Sequence, residues 1–236
     1  MKHRRYALAA LFLLAAPVPA LAAGPEQLDQ IEPGKGKWQA ELFGVYGREQ
    51  AHAIEALYGV SDRIAVGMEI EAERDGGRLH VDTLAATVLF RLSDPKDAPL
   101  GVGIKLQAAF GNGARLAETE ARLILEHRTA RWWMQADAIV RHARDDGEAG
   151  TGLAYAGSFQ RALGGDIWFG VEASGQLARL GGETALAPSG QHYLGPSLTV
   201  ERRLGRAEIE FGLAYLQRIA GRASGSAPRL FVQVTF

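Results

Sequence analysis

From Ile64 to Arg74 every second residue is apolar. Ile64, Val66, Met68, Ile70 and Ala72 share one face of an extended chain, and Ala65, Gly67, Glu69, Glu71 and Glu73 share the other, because successive strand side chains point to opposite faces. A helix would scatter the three glutamates around its axis, whereas strict alternation collects them. Ala207 to Arg218 repeats the design, with Ile209, Phe211, Leu213 and Tyr215 against Glu208, Glu210, Gly212 and Ala214. Leu100 to Phe110 does so again, with Lys105 and Gln107 on its polar side. Nine further segments, near 38–46, 53–60, 80–92, 117–127, 132–142, 151–161, 166–177, 192–203 and 229–236, carry the same period less cleanly. About twelve such strands predict an all-β fold, a single transmembrane antiparallel up-and-down β-barrel, for which an even strand count is required.

The connections support the closed barrel. Transmembrane barrels of this kind have short periplasmic turns and longer extracellular loops. The second, fourth, sixth, eighth and tenth connections centre on Ser61–Arg63, Ser93–Pro99, Arg128–Arg131, Gly164–Gly165 and Gly205–Arg206. The other set includes Arg144–Gly150, Ala178–Gln191 and Ile219–Pro228, which are longer. Ser93–Pro99 is long for its class, and Asp75–Arg78 is short for the other. On the apolar face, Trp38, Tyr58, Phe90, Trp132, Phe159 and Phe236 fall near one set of strand ends, and Tyr46, Phe110, Tyr155 and Tyr215 nearer the opposite set. Two aromatic girdles are expected at the two interfaces of a lipid bilayer.

The two chain ends extend this picture. The last strand alternates Leu230, Val232, Val234 and Phe236 against Arg229, Phe231, Gln233 and Thr235. With an aromatic as its last residue, it resembles the closing strand of Gram-negative outer-membrane β-barrels. That resemblance implies that Phe236, Val234 and Val232 act as an assembly signal read by the barrel-assembly machinery. At the other end, Lys2, Arg4 and Arg5 precede an apolar run and then Ala20-Leu21-Ala22, the arrangement of a secretory signal peptide. The expected organisation is therefore a signal peptide at 1–22, a periplasmic N-terminal segment at 23–37 and the barrel at 38–236. Loss of the three leader cations takes 26 Lys and Arg to 23 against 27 Asp and Glu, a net charge of −4. That balance gives no reason to expect a nucleic-acid partner. The chain has no cysteine, so disulfides play no part in its stability.

The polar face belongs inside. It holds the charges, while the strand centres of the other face are almost charge-free, and a Lys or Arg at the bilayer midplane costs about 2–4 kcal/mol. The lumen-lining candidates are Glu69, Glu71, Glu73, Lys105, Glu120, Arg122, Asp137, Arg141, Glu172, Glu208 and Glu210. Two readings of this set stand side by side. In one, the glutamates pair with Lys105, Arg122, Arg141, Arg91 and Arg203 in a packed network, since buried charges require partners. In the other they line a narrow aqueous conduit whose excess carboxylates favour cations or neutral polar solutes over anions. Ala178–Gln191 and the segment from Ala23 to Lys37 are both long enough to fold inward as a plug.

Catalytic patterns are not evident. The mature histidines, His52, His80, His127, His142 and His192, stand singly, none is followed two residues on by Ser, and Asn112 is the only asparagine. No metal-ligand spacing or phosphate-binding loop occurs. The expectation is no enzyme, no cofactor and no metal.

One segment carries a narrower resemblance. Ala56-Leu57-Tyr58-Gly59-Val60-Ser61-Asp62-Arg63-Ile64-Ala65-Val66-Gly67-Met68-Glu69 resembles a hairpin that recurs in proteobacterial outer-membrane proteins linked to the meta pathway of phenol degradation. The match covers residues 38–92 and implies a barrel that passes small or hydrophobic compounds, aromatic ones among them. The sequence thus points to a monomeric outer-membrane channel or transporter for an unidentified small solute, partnered by outer-membrane lipid. The alternative is a non-conducting structural or surface-interaction barrel.

Overall fold

The structure, a computed structural model, describes residues 25–47, 50–75, 78–221 and 225–236. The expected signal peptide lies outside the described residues. Twelve strands follow one another: β1 Trp38–Val45, β2 Ala51–Gly59, β3 Ile64–Asp75, β4 Arg78–Ser93, β5 Gly101–Phe110, β6 Leu116–Arg128, β7 Trp132–Asp145, β8 Glu148–Gly164, β9 Ile167–Gly182, β10 Gln191–Leu204, β11 Ala207–Ala220 and β12 Ser226–Thr235. Each pairs antiparallel with its sequence neighbours, and β1 closes on β12 from Gln39↔Thr235 to Val45↔Arg229. The seam runs to the last residue, because Trp38 N donates to the Phe236 carbonyl and Phe236 N to the Trp38 carbonyl, each at 2.9 Å. Full closure leaves no free sheet edge, the condition for strands to sit in lipid, where an unpaired backbone group costs several kcal/mol. Among the described residues no helix is long and apolar enough to cross a membrane.

The alternation resolves into an inside and an outside. On β3, Val66, Met68 and Ile70 are exposed, whereas Ala65 and Glu69 are buried. The outer surface carries further exposed apolar residues from every part of the chain, including Leu42, Ile54, Leu106, Leu123, Val140, Val171, Leu194 and Leu213. An apolar exterior around a polar interior is the inverse of a soluble barrel and fits a lipid environment. At the end where β1 begins and β12 finishes, Trp38 stacks 4.9 Å from Tyr58 and Trp132 5.0 Å from Phe159, and Phe90 and Phe236 are exposed beside them. Phe110 and Tyr215 are exposed toward the opposite rim.

Two expectations are corrected. Arg144–Gly150 is not a long loop: β7 and β8 run on to a two-residue hairpin turn in which Asp146 and Gly147 both have positive φ, 43° and 91°. Asp-Gly is the dipeptide that this mirror-image turn favours, since glycine carries no Cβ penalty there. Similarly, β9 extends to Gly182 and leaves only 183–190 as the loop before β10. Second, the segment at 23–37 is not simply periplasmic. Its described part from Pro25 to Ile31 lies inside the barrel, as the partners below establish, and only Lys35–Lys37 meets the rim, where Gly36 N donates to Gly59 O at 2.7 Å and Gly59 N to Lys37 O at 3.0 Å.

Candidate functional site

Every strand contributes alternate residues to the interior, and the interior is divided. On one side lies a charged network built around three cations. Lys105 on β5 meets Glu55 at 2.8 Å and Asp29 at 3.2 Å. Its cross-strand neighbour Arg122 on β6 meets Glu120 at 2.9 Å, Asp29 at 3.0 Å and Asp137 at 3.2 Å. Arg141 on β7 meets Glu120 at 2.7 Å, Glu26 at 2.8 Å and Glu118 at 3.0 Å. Each cation therefore faces more than one carboxylate, as charges withdrawn from water require.

Glu26 and Asp29 belong to the lumenal segment, so the barrel cations hold it in place. Further contacts fix its course. Gln27 donates to Glu41 at 3.0 Å, Gln30 to Glu210 at 2.8 Å, and the backbone N–H of Asp29 to Asp137 at 2.9 Å. Arg122 and Arg91 donate to the carbonyls of Gln27 and Ile31 at 2.8 and 2.9 Å. Ile31 is 1% exposed and packs with Ala65, Leu89 and Ile124. Gly103 makes room for it: a Cβ there would stand 3.3 Å from the Ile31 side chain. Beyond Ile31, Glu32 reaches Lys96 in the β4–β5 connection at 2.6 Å. Burial disfavours the Lys96 charge, but Glu32 outweighs it and raises the ammonium above the ordinary lysine range.

The other side of the interior is apolar. Phe43, Val45, Ala53, Tyr193, Ala214, Leu216 and Ala227 form one buried cluster, with Phe231 packed against it. Phe231 lies across Gly212, where a Cβ would fall 1.9 Å from the ring, so only glycine admits the aromatic at this height. Arg229 sits between this cluster and the polar interior. It pairs with Glu172, both nearly fully buried, and lies 5.7 Å over the Phe43 ring. Toward the end where β1 begins and β12 finishes, Arg128 stacks on Trp133 at 4.3 Å and Trp168 at 5.0 Å. The two indoles donate to Glu126 at 3.0 Å and Glu201 at 2.8 Å, and Arg128 also pairs with Glu201.

Between the lumenal segment and the opposite rim lies a chamber of about 1220 Å³. Pro25, Glu26, Gln27 and Asp29 line it from within the barrel, and ends of β1 to β8 form its walls. Ten carboxylate residues and five Lys or Arg residues line it. Among the described residues no group of His, Cys, Asp and Glu is arranged to hold a metal ion.

The interior gathers the expected lining residues. Glu69, Lys105, Glu120, Arg122, Asp137, Glu172 and Glu210 are buried inside, and Glu71 and Arg141 are half-buried there. Glu208 is set apart, paired with Arg203 at the terminal end of β10 and β11. Glu73 lies on β3, and its side chain is outside the described residues. Val232 and Val234 occupy outward positions of β12, and Phe236 is 58% exposed. The lumenal partners Glu26, Gln27, Asp29, Gln30 and Ile31, and the Trp133–Arg128–Trp168 stack, were not among the candidates. The available signal was slight: acidic residues at 26, 29 and 32 in a stretch without strand periodicity.

No protein-family model matches the chain, and no curated protein matches it. Solved structures do share its architecture. A COG4313 outer membrane channel from Pseudomonas putida F1 superposes with a TM-score of 0.57 at 10% identity, covering 89% of this chain and 98% of that one. The NanC porin gives 0.55 at 10% identity, with 82% and 98% covered, and the KdgM porin 0.51 at 8% identity, with 84% and 99% covered. The likeness is one of fold, over most of this chain and nearly the whole of each neighbour: a barrel of the outer-membrane channel type.

Proposed function

We propose that the protein is an outer-membrane channel for small solutes, with the end where β1 begins and β12 finishes toward the periplasm and the chamber open to the outside. The observation that carries this reading is the chamber itself, a water-accessible volume inside a lipid-facing barrel whose carboxylates outnumber its cations two to one. Such an imbalance concentrates cations, admits neutral polar solutes and repels anions. The lumenal segment closes the inner side of the chamber by non-covalent contacts alone, so passage requires it to shift. The reading assigns no catalytic step, and a single chain is the conducting unit. The shared fold with porins and a channel supports it without identifying a solute.

The second reading, a non-conducting barrel, draws on the same segment, whose ion pairs and buried isoleucine fill the inner half of the lumen. Reconstitution in planar bilayers under a KCl gradient separates the two. The channel reading expects conductance steps and a reversal potential of cation-selective sign. Folded protein that gives no openings, either unaltered or as Ile31→Ala, would refute it in favour of the second.

A further inference from the structure

We infer that the chamber selects organic cations bearing an apolar body, of the alkylammonium or aralkylammonium class. This deepens the channel reading and rests on it. Charge and apolar surface lie side by side on the chamber wall. Pairing aligns Phe43 on β1, Ala53 on β2, Glu71 on β3 and Thr83 on β4 in one row across the wall, all at inward positions. Phe43, Val45, Ala51 and Ala53 line the chamber, as do Glu69 and Glu71. An apolar strip and an acidic strip are thus adjacent on one concave surface.

The carboxylates of that acidic strip have neutral hydrogen-bond partners. Glu69 accepts from the Gln107 amide at 2.8 Å, and Glu71 from the Thr83 hydroxyl at 2.7 Å. Neutral donors orient a carboxylate without cancelling its charge. Lys105, Arg122 and Arg141 are each held by at least two other carboxylates. Lys105 also attracts Glu69, so Glu71 is the carboxylate beside the apolar part whose partner is neutral.

Phe43 and Glu71 stand two strand spacings apart, roughly 10 Å at the backbone, and inward side chains on a concave wall converge. An ammonium group a few bonds from a hydrocarbon or ring spans that separation. An inorganic cation uses only the acidic strip and a neutral hydrocarbon only the apolar one. A solute with both groups gains from both.

Bi-ionic reversal potentials with phenethylammonium against protonated glucosamine, a cation of similar size and polar body, test the inference. The expected permeability ratio is roughly threefold to tenfold in favour of phenethylammonium. Phe43→Ser should bring the ratio near unity while cations remain favoured over chloride, and Glu71→Gln should weaken both cations against chloride. Val45→Ser replaces Phe43→Ser if the latter does not fold. A ratio of unity or below in a conducting, cation-selective protein overturns the inference and leaves the channel reading intact. Absence of conductance removes the channel reading instead. Calorimetric titration of the detergent-solubilised protein with phenethylammonium then decides: saturable binding weakened by both variants supports the chamber's specificity, and no binding overturns it.

Discussion

Ile31→Ala tests the docking of the lumenal segment. The side chain is 1% exposed, enclosed by Ala65, Leu89 and Ile124 and backed by Gly103. Three carbons are removed, which at about 0.8 kcal/mol each is roughly 2.4 kcal/mol of lost transfer free energy. Strand walls cannot collapse into the vacated space, so a cavity contribution adds to this, and measured Ile→Ala losses of 2–5 kcal/mol bracket the result. Because the substitution lies in the segment rather than in the barrel, the loss acts chiefly on the equilibrium between docked and released segment. Even the lower bound of about 2 kcal/mol multiplies the released fraction by about 30. The chain has no cysteine, so Leu28→Cys, at a half-buried position between the buried Glu26 and Asp29 of the docked segment, provides a unique reporter. Its rate of reaction with a bulky maleimide in folded, reconstituted protein follows the released fraction. Ile31→Ala in that background should accelerate labelling at least about 30-fold, with heat-modifiable migration of the barrel retained. An unchanged rate in a folded barrel would show that Ile31 does not hold the segment and that the ion pairs suffice.

Other outcomes follow from the same geometry. Glu69→Gln together with Glu71→Gln should move the KCl reversal potential toward zero, since both acids line the chamber with neutral partners. Met68→Arg, at a 54% exposed outward position, should destabilise the lipid-embedded barrel by about 2–4 kcal/mol, read by urea unfolding in vesicles; no measurable destabilisation would contradict the outward assignment. Arg229→Met should cost about 3–5 kcal/mol by stranding Glu172, whereas Arg229→Met with Glu172→Leu should recover most of it. A double-mutant cycle that shows simple additivity would exclude coupling between the two.

The strands were legible because lipid outside and charge inside impose a period of two. On β3, the inward Glu69 and Glu71 leave one admissible register, since a one-residue slip would place them in lipid. The lumenal network was half legible. Alternation puts Lys105, Arg122 and Arg141 indoors, but not beside Glu26 and Asp29, which lie 76 to 115 residues away in sequence in a segment with no periodicity. The apolar side of the lumen was obscured for the opposite reason. Phe43, Tyr193, Leu216 and Phe231 face inward, where the pattern otherwise predicts polar residues, so their strands read as less clean rather than as the two sides of one cluster. The Asp146-Gly147 turn was hidden by the charges around it, which suggested a solvated loop, although the dipeptide itself specifies a tight hairpin.

The anchorage of Lys35–Lys37 to Gly59 has a kinetic consequence. A released segment stays tethered within a few residues of its berth, so its effective concentration there is in the millimolar range. A free peptide copied from residues 25–32 and added at micromolar concentration would lose that competition, and the segment would return faster than such a peptide could arrive. Openings that depend on its departure should therefore be brief and self-terminating, and their duration should lengthen with the reach of the tether rather than with any change in the barrel wall.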